Sequence, residues 1–495
     1  IHPKRKTKVV FVQLGSPSEP TTKALRKYLR KFLGDPRVVD INPWLWKIIL
    51  NFFVLPFRPK KSAKLYARIW DGKSFPLITN TRDFTKNVRE ELKKIDPHGY
   101  VEVNHAFLLS PPYVNEVYDS WEEDLKKGIG ATKLLVIPMF PQYSESTIAS
   151  GIDALAKELS KRVKIPTFEV ITNFHRTHAF IDNSVNQVDS KLNELIKVGK
   201  KIDSLVITFH GMQKRRIVNK GDDYYRHCYE TFCLITNMLK NIKAEQCLMS
   251  FQSRFGSEEW ITPYTEDVVK RLITEGKKEI AIYSPSFVAD CLETTDELGH
   301  ELVNEAKEWG GNIYPVKCLN TNKDWCKDFA KYTFVQAEGS AQDKEDIEEE
   351  TGYEFSTELK TIDGKEAYET KEEAIEKAKE MGCEGYHEHE VEGDIYYMPC
   401  INHEQLKAPC WDYNEDEENL KNSKHVHQCH HSFPDFAEFD NNDLLQVVSA
   451  KYSLIIDFLA VKDAVACLLA TFLDCSQHPV PSPVFLDNLL LNLIQ

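Results

Sequence analysis

No CxxC pair occurs among the twelve cysteines of this 495-residue chain, and no dense cysteine framework. That absence argues against a zinc ribbon, a thioredoxin-type redox pair and a disulfide scaffold, and it fits a reducing compartment with buried thiols. A GxxxxGK[ST] loop is missing, which removes the P-loop way of holding nucleotide phosphates. The stretch GIGATK (128–133) precedes a strand instead of following one, the wrong context for a dinucleotide fingerprint. No GxSxG elbow appears either. Excess positive charge is lacking: 62 Lys and Arg against 76 Asp and Glu give −14, so no nucleic-acid partner is expected. Basic clusters such as RPKKSAK (58–64) are local. The most apolar tail segment (452–473) carries Asp457, Lys462 and Asp463, which speaks against a membrane span. The opening IHPKRKTKVVFVQLG has no signal-peptide segment before its first strand. A cytoplasmic protein is the expectation.

What is there has the texture of a soluble globular protein, 42% hydrophobic and 28% charged, and its length calls for more than one core. Short apolar runs recur at KVVFVQLG (8–15), TKLLVIPMF (132–140), SLVITFHG (204–211) and KEIAIYSPSF (278–287). Between them, 21–34, 149–162 and 264–276 carry apolar residues at helical spacing. Strands alternating with helices predict parallel βαβ sheets. The pattern comes twice, so two similar α/β domains are expected at 1–165 and 166–335. After the charged stretch DKEDIEEETGYE (343–354), one helix and a short hairpin predict a small α+β domain over 336–411. The polar, histidine-rich tail over 412–495 is left without a structural assignment.

His210 ends a strand and is followed by Gly211, so its ring stands at the carboxyl edge of a sheet, where open α/β folds bind ligands. A neutral imidazole there is a base or a metal ligand; a hydrogen-bonded structural histidine is the plain alternative. Glu293, Glu297, Glu301 and Glu305 repeat every fourth residue after the last of the four runs quoted above. Such a row disfavours an isolated helix by a few tenths of a kcal/mol per like-charged pair, roughly what a solvated face tolerates. Glu293 differs because it lies just past a strand end, at the sheet edge of His210. One imidazole and a line of carboxylates suit capture of a divalent cation and uptake of protons. NPWLWKIILNFFVLPFRPKK (42–61) is apolar, flanked by cations and too short to span. It is either a core helix or a lip that meets a flat apolar ligand or a membrane surface. HVHQCHH (425–431), with His387, His389, His403, Cys383, Cys400 and Cys410, matches no standard zinc module, and a solvated loop is the simpler reading.

The blocks QLGSPSEPTTKALRKYLRKFLGDPRVVDINPWLW, LPFRPKKSAKLYARIW (55–70), FPQYSESTIASG (140–151), SFQSRFGSEEWITPYT (250–265) and FVADCLETTDELG (287–299) resemble, in this order, the ferrochelatases. The resemblance covers about residues 8–330. It implies a chelatase-like fold, two Rossmann-like parallel-sheet domains with a porphyrin cleft between them, and insertion of ferrous iron into a porphyrin with release of two protons. The family's metal-facing histidine falls on His210 and its essential glutamate on Glu293. Glu297 and Glu301 fall on the acidic series of a π-wound helix. Tyr143, Gln252, Ser253, Trp260 and Phe287 fall on or near the porphyrin cleft. Partners implied are porphyrin and ferrous iron as substrates, with peripheral contact to the inner membrane through 42–55. Departures stand at Leu108 and Leu109, where many members have Arg-Tyr, at Gln13 for asparagine, and at Cys291, which is histidine in some members. Glu145 stands where animal enzymes carry a cluster cysteine, and the downstream cysteine trio is absent, so no [2Fe–2S] cluster and no resident cofactor are expected. The rival readings are a chelatase for another metal or tetrapyrrole, and a porphyrin- or haem-binding protein without catalysis.

Overall fold

Strand β1 (Thr7–Gln13) is buried along its whole length, Lys8 included. A strand buried on both faces belongs at the centre of a parallel sheet, and β1 is flanked on both sides. With β2 (Val101–Phe107), β3 (Lys133–Pro138) and β4 (Thr167–Val170) it forms a four-stranded parallel sheet in the order β2-β1-β3-β4. The Lys8 ammonium is buried with its charge answered by Asp124 at 3.2 Å and Glu102 at 3.5 Å. The second half repeats the plan: β5 (Ser204–His210), β6 (Cys247–Gln252), β7 (Glu279–Tyr283) and β8 (Asn312–Pro315) pair in parallel in the order β6-β5-β7-β8. The α/β reading of the sequence holds. The structure, a computed structural model, describes residues 6–128, 130–255, 258–338, 360–362, 365–368, 370–380, 385–391 and 394–399.

The two sheets share a continuous apolar core, in which Phe11, Phe84 and Leu135 of the first half join Phe209, Tyr283 and Phe329 of the second. Residue 165 does not separate the halves. β4 lies beyond it and still pairs with β3, Lys133 opposite Thr167. The helix Lys323–Glu338 returns to pack on the helix Pro76–Ile95 of the first half, with Phe84 stacked on Trp325 at 5.4 Å.

Beyond 338, a hairpin of Lys360–Ile362 and Lys365–Ala367, a helix Lys371–Glu380 and a hairpin of Tyr386–Val391 and Asp394–Pro399 make the expected small α+β unit. Lys371 ties it together, 2.9 Å from Glu388 and standing over the rings of Tyr386 and Tyr397. Of the tail's metal-ligand candidates only His387 and His389 lie on described strands. The segments 412–495 and 425–431, with Cys383, Cys400, His403 and Cys410, lie outside the described residues. Among the described residues no helix is long and apolar enough to cross a membrane.

Candidate active site

In the order β6-β5-β7-β8 the chain switches direction between β5 and β7, and open α/β sheets bind ligands beyond the carboxyl ends of such neighbours. His210 is the last residue of β5, and its backbone N–H donates to Ser286 Oγ at 3.1 Å, just past β7. Its Nδ1 lies 2.7 Å from the Gly211 carbonyl. A carbonyl only accepts, so Nδ1 carries a proton, which in the neutral ring leaves the lone pair on Nε2. Glycine is required at 211 by close approach: a Cβ there would stand 2.7 Å from the Gln252 carbonyl oxygen and 3.0 Å from the Trp260 ring. Phe287 meets the imidazole edge-on, ring centres 6.3 Å apart.

The acidic row does form a π-helix, Glu293–Leu302, an unusual winding that recurs at functional sites. Its carboxylates have different fates. Glu297 is gripped from the end of β6: Ser253 donates its backbone N–H to Oε1 at 2.8 Å and its hydroxyl to Oε2 at 2.6 Å. Ser253 adopts φ +65° to do so, a strained setting for a non-glycine residue. Burial, opposed by the Ser253 hydroxyl and reinforced by the charge of Glu293, raises the Glu297 carboxyl from 4.5 to about 7. Glu293 faces the other half of the molecule. Burial, with the Glu293 charge added, raises the phenols of Tyr28 and Tyr66 above their ordinary range. Glu301 is half-exposed and bound to Arg68 Nη1 at 3.2 Å, which also holds buried Asp296 at 3.0 Å. The row therefore runs from an ion-paired solvent end inward to carboxylates without a cationic partner. Cys291, at the family's histidine position, is buried, and burial drives its thiol well above the ordinary range.

Gln252 and Trp260 line this region from β6 and the following loop. Both are buried, and Gln252 Nε2, Gln252 Oε1 and Trp260 Nε1 have no hydrogen-bond partner among the described residues. A buried polar group left unpaired costs roughly 1–3 kcal/mol, so these atoms are available to hydrogen-bond what enters the site. Phe255 stands against Trp260 at 5.1 Å, and the Arg58 guanidinium lies over Phe255 at 5.5 Å. Arg58 comes from the first half and reaches the second half here. Nothing in sequence spacing singled it out, since RPKKSAK reads as an ordinary basic surface.

The segment 42–55 is a lip, not a core helix. The helix Pro43–Ile49 has no buried residue, and Trp44 and Phe52 are 77% and 69% exposed. Leu50 and Leu55 are its buried anchors, in a cluster with Tyr28 and Leu33 that Trp46, Val54 and Leu109 join, and Trp46 Nε1 donates to the Leu33 carbonyl at 2.6 Å. Leu108 packs on the core beneath β1. The two leucines that replace Arg-Tyr thus serve packing. Gln13 Nε2 donates to the Met139 carbonyl at 3.4 Å, tying the ends of β1 and β3. Tyr143 stands apart from the other expected residues: it lines a polar cavity with Arg37, Glu145 and Arg216. Among the described residues, no three His, Cys, Asp or Glu side chains gather into a ready cage for an ion. His210, Glu293, Glu297 and Glu301 are spread along a path.

With this geometry in hand, likeness to known proteins decides the family. The ferrochelatase family model matches residues 6–336. The chain belongs to the ferrochelatase family. It is 38% identical to the ferrochelatase of Idiomarina loihiensis over 313 residues, 63% of this chain and 83% of that one. It is 36% identical to that of Actinobacillus pleuropneumoniae over 324 residues, covering 65% and 96%. Against the coproporphyrin III ferrochelatase of Streptococcus mutans it is 38% identical over 319 residues, 64% and 94%. A family described only as a protein of unknown function matches 368–404, within the extension to the ferrochelatase region. Among solved structures, SirB from Bacillus subtilis with Fe3+ aligns over 68% of this chain and 98% of its own, at 12% identity and a TM-score of 0.39, too distant to carry weight.

Proposed function

We propose that this ferrochelatase-family chain inserts ferrous iron into a porphyrin in haem biosynthesis, with His210, Glu293 and Glu297 doing the chemistry. The observation that carries the assignment is the pairing of an imidazole with a free Nε2 lone pair at the end of β5 and a π-helical acidic row whose Glu297 titrates near neutrality. A macrocycle must lose two pyrrole protons as the metal enters. Nε2 accepts one, or ligates the metal; a carboxyl poised near pH 7 both takes and releases a proton at little cost. Glu301, held by Arg68, is the solvent end of the path for iron, with Glu297 and Glu293 further in. The rings of Trp260 and of Phe287, the latter beside His210, suit the flat apolar body of a porphyrin. No [2Fe–2S] cluster enters the reading: Glu145, a carboxylate 3.7 Å from Arg216, stands where a thiolate would be needed.

The exposed lip bears Trp44, Phe52 and Phe57, with Lys47, Lys60 and Lys61 close in sequence, which supports peripheral binding to a membrane surface by a cytoplasmic protein. The test mixes the full chain, ferrous iron and either protoporphyrin IX or coproporphyrin III without oxygen and follows the porphyrin spectrum. Metallation by the wild type, lost in His210→Ala and Glu293→Gln while porphyrin still binds, is the expected result. Full turnover in either variant would sink its assignment. Porphyrin bound but never metallated by iron, cobalt or zinc would favour the non-catalytic binder, and metallation by cobalt alone a chelatase of another specificity.

A further inference from the structure

The polar cavity that holds Tyr143 has no part in the chemistry above. Its volume is about 340 Å³, within the range of small-molecule sites, and the other expected cleft residues do not line it. Arg37, Asp40, Tyr143 and Glu145 come from the first half, Arg216 and Lys220 from the helix Lys214–Lys220 of the second. Three cations against two carboxylates leave one net positive charge on its wall. Asp40 is already engaged by Arg215 at 2.6 Å and by Lys220, so its charge is answered. Arg216 is the unusual member. It is 1% exposed, gives Nη1 and Nη2 to the carbonyls of Arg37 and Val38 at 2.7 and 3.2 Å, and has the Glu145 carboxylate at 3.7 Å and the charge of buried Asp222 near it. Its Nε has no hydrogen-bond partner among the described residues. A buried guanidinium with an unpartnered N–H is a costly arrangement that an anion would relieve.

We infer that this cavity binds a small oxoanion, a carboxylate or a phosphate, on Arg216 and Arg37. Arg37 suits the second hold, because its guanidinium is partly exposed and tied only to Asp153 at 3.1 Å. The bound anion would bridge the halves close to two functional elements. The helix Lys214–Lys220 starts four residues after His210, and the lip starts two residues after Asp40.

The inference is independent of metal insertion, and its test reads binding heat. The full chain is titrated with malonate and, separately, with inorganic phosphate, in chloride buffer of matched ionic strength. One saturable site is expected for one of the two, and the tighter arm identifies carboxylate or phosphate as the ligand class. Arg37→Gln, a change at a half-exposed side chain, should weaken binding about tenfold, the loss of one charge-assisted hydrogen bond. Glu145→Gln removes the competing carboxylate and should tighten it severalfold. No saturable heat with either anion, or binding that neither substitution changes, overturns the inference.

Discussion

Replacing Glu297 by Gln should make the protein more stable at pH 8 than at pH 5, relative to wild type. The native carboxyl binds its proton up to about pH 7, against an ordinary value of 4.5. Between those values the folded state holds a proton that the unfolded chain has released. Stability therefore falls as pH rises through this window, and above pH 7 the fold carries a buried carboxylate at a standing cost. At about 1.4 kcal/mol per pH unit, the part of that cost developed between pH 5 and pH 8 is about 2.5 kcal/mol. Gln cannot ionise, so it escapes this term, although its single amide oxygen accepts only one of the two Ser253 donors well. That packing loss is the same at both pH values, as is the titration of other groups. The quantity to measure is the difference of differences: the effect of the substitution at pH 8 minus its effect at pH 5, from chemical denaturation of the full chain. The expectation is a gain of about 2.5 kcal/mol on going to pH 8, with porphyrin metallation impaired. An equal effect at both pH values would refute a carboxyl raised by burial, and with it the proton-handling role.

Three further outcomes follow from the same reasoning. His227, stacked 4.0 Å from His175 and accepting the Tyr143 N–H at 3.1 Å, is held by burial at about 3 instead of 6.5. The unfolded chain takes up this proton first, so its contribution is complete above pH 6.5 and lost as pH falls towards 3, about 2 kcal/mol between pH 7 and 5; His227→Gln should flatten that slope in a pH series of denaturation curves, and an unchanged slope counts against it. Gly211→Ala forces its Cβ onto the Gln252 carbonyl and Trp260, and overpacking of this kind costs about 1–3 kcal/mol; a melting temperature equal to wild type, with normal porphyrin binding, would disprove the close-approach argument. Trp44→Ser with Phe52→Ser should leave the melting temperature within about a degree, since surface positions of this kind change stability little. The same pair should reduce co-sedimentation with anionic vesicles, and undiminished sedimentation would remove the membrane role of the lip.

How far the sequence carried the reading can be seen at single residues. Alternation of apolar runs and helical stretches established a parallel α/β fold, because burial on both faces of a central strand leaves a continuous apolar trace, as in VVFV before Gln13 and LVITF before His210. The more broken strands β2 and β4, with exposed Glu102 and Thr167, left no such trace. His210 followed by Gly211 was legible as a strand end, and the four-residue acidic repeat as one face of a helix. The rest was decided by contacts between distant residues. Ser253 and Glu297 lie 44 positions apart, Arg68 and Asp296 lie 228 apart, and periodicity reports whether a side chain is buried without naming what it meets. For that reason three of the four like carboxylates became, only in three dimensions, one paired acid (Glu301), one near-neutral acid (Glu297) and one near buried Tyr28 and half-buried Tyr66 (Glu293). The segment 42–55 makes the same point in reverse. Its apolar composition was plain, but whether it fills a core or stands out as a lip depends on what the rest of the chain packs against it, and only Leu50 and Leu55 find a place inside.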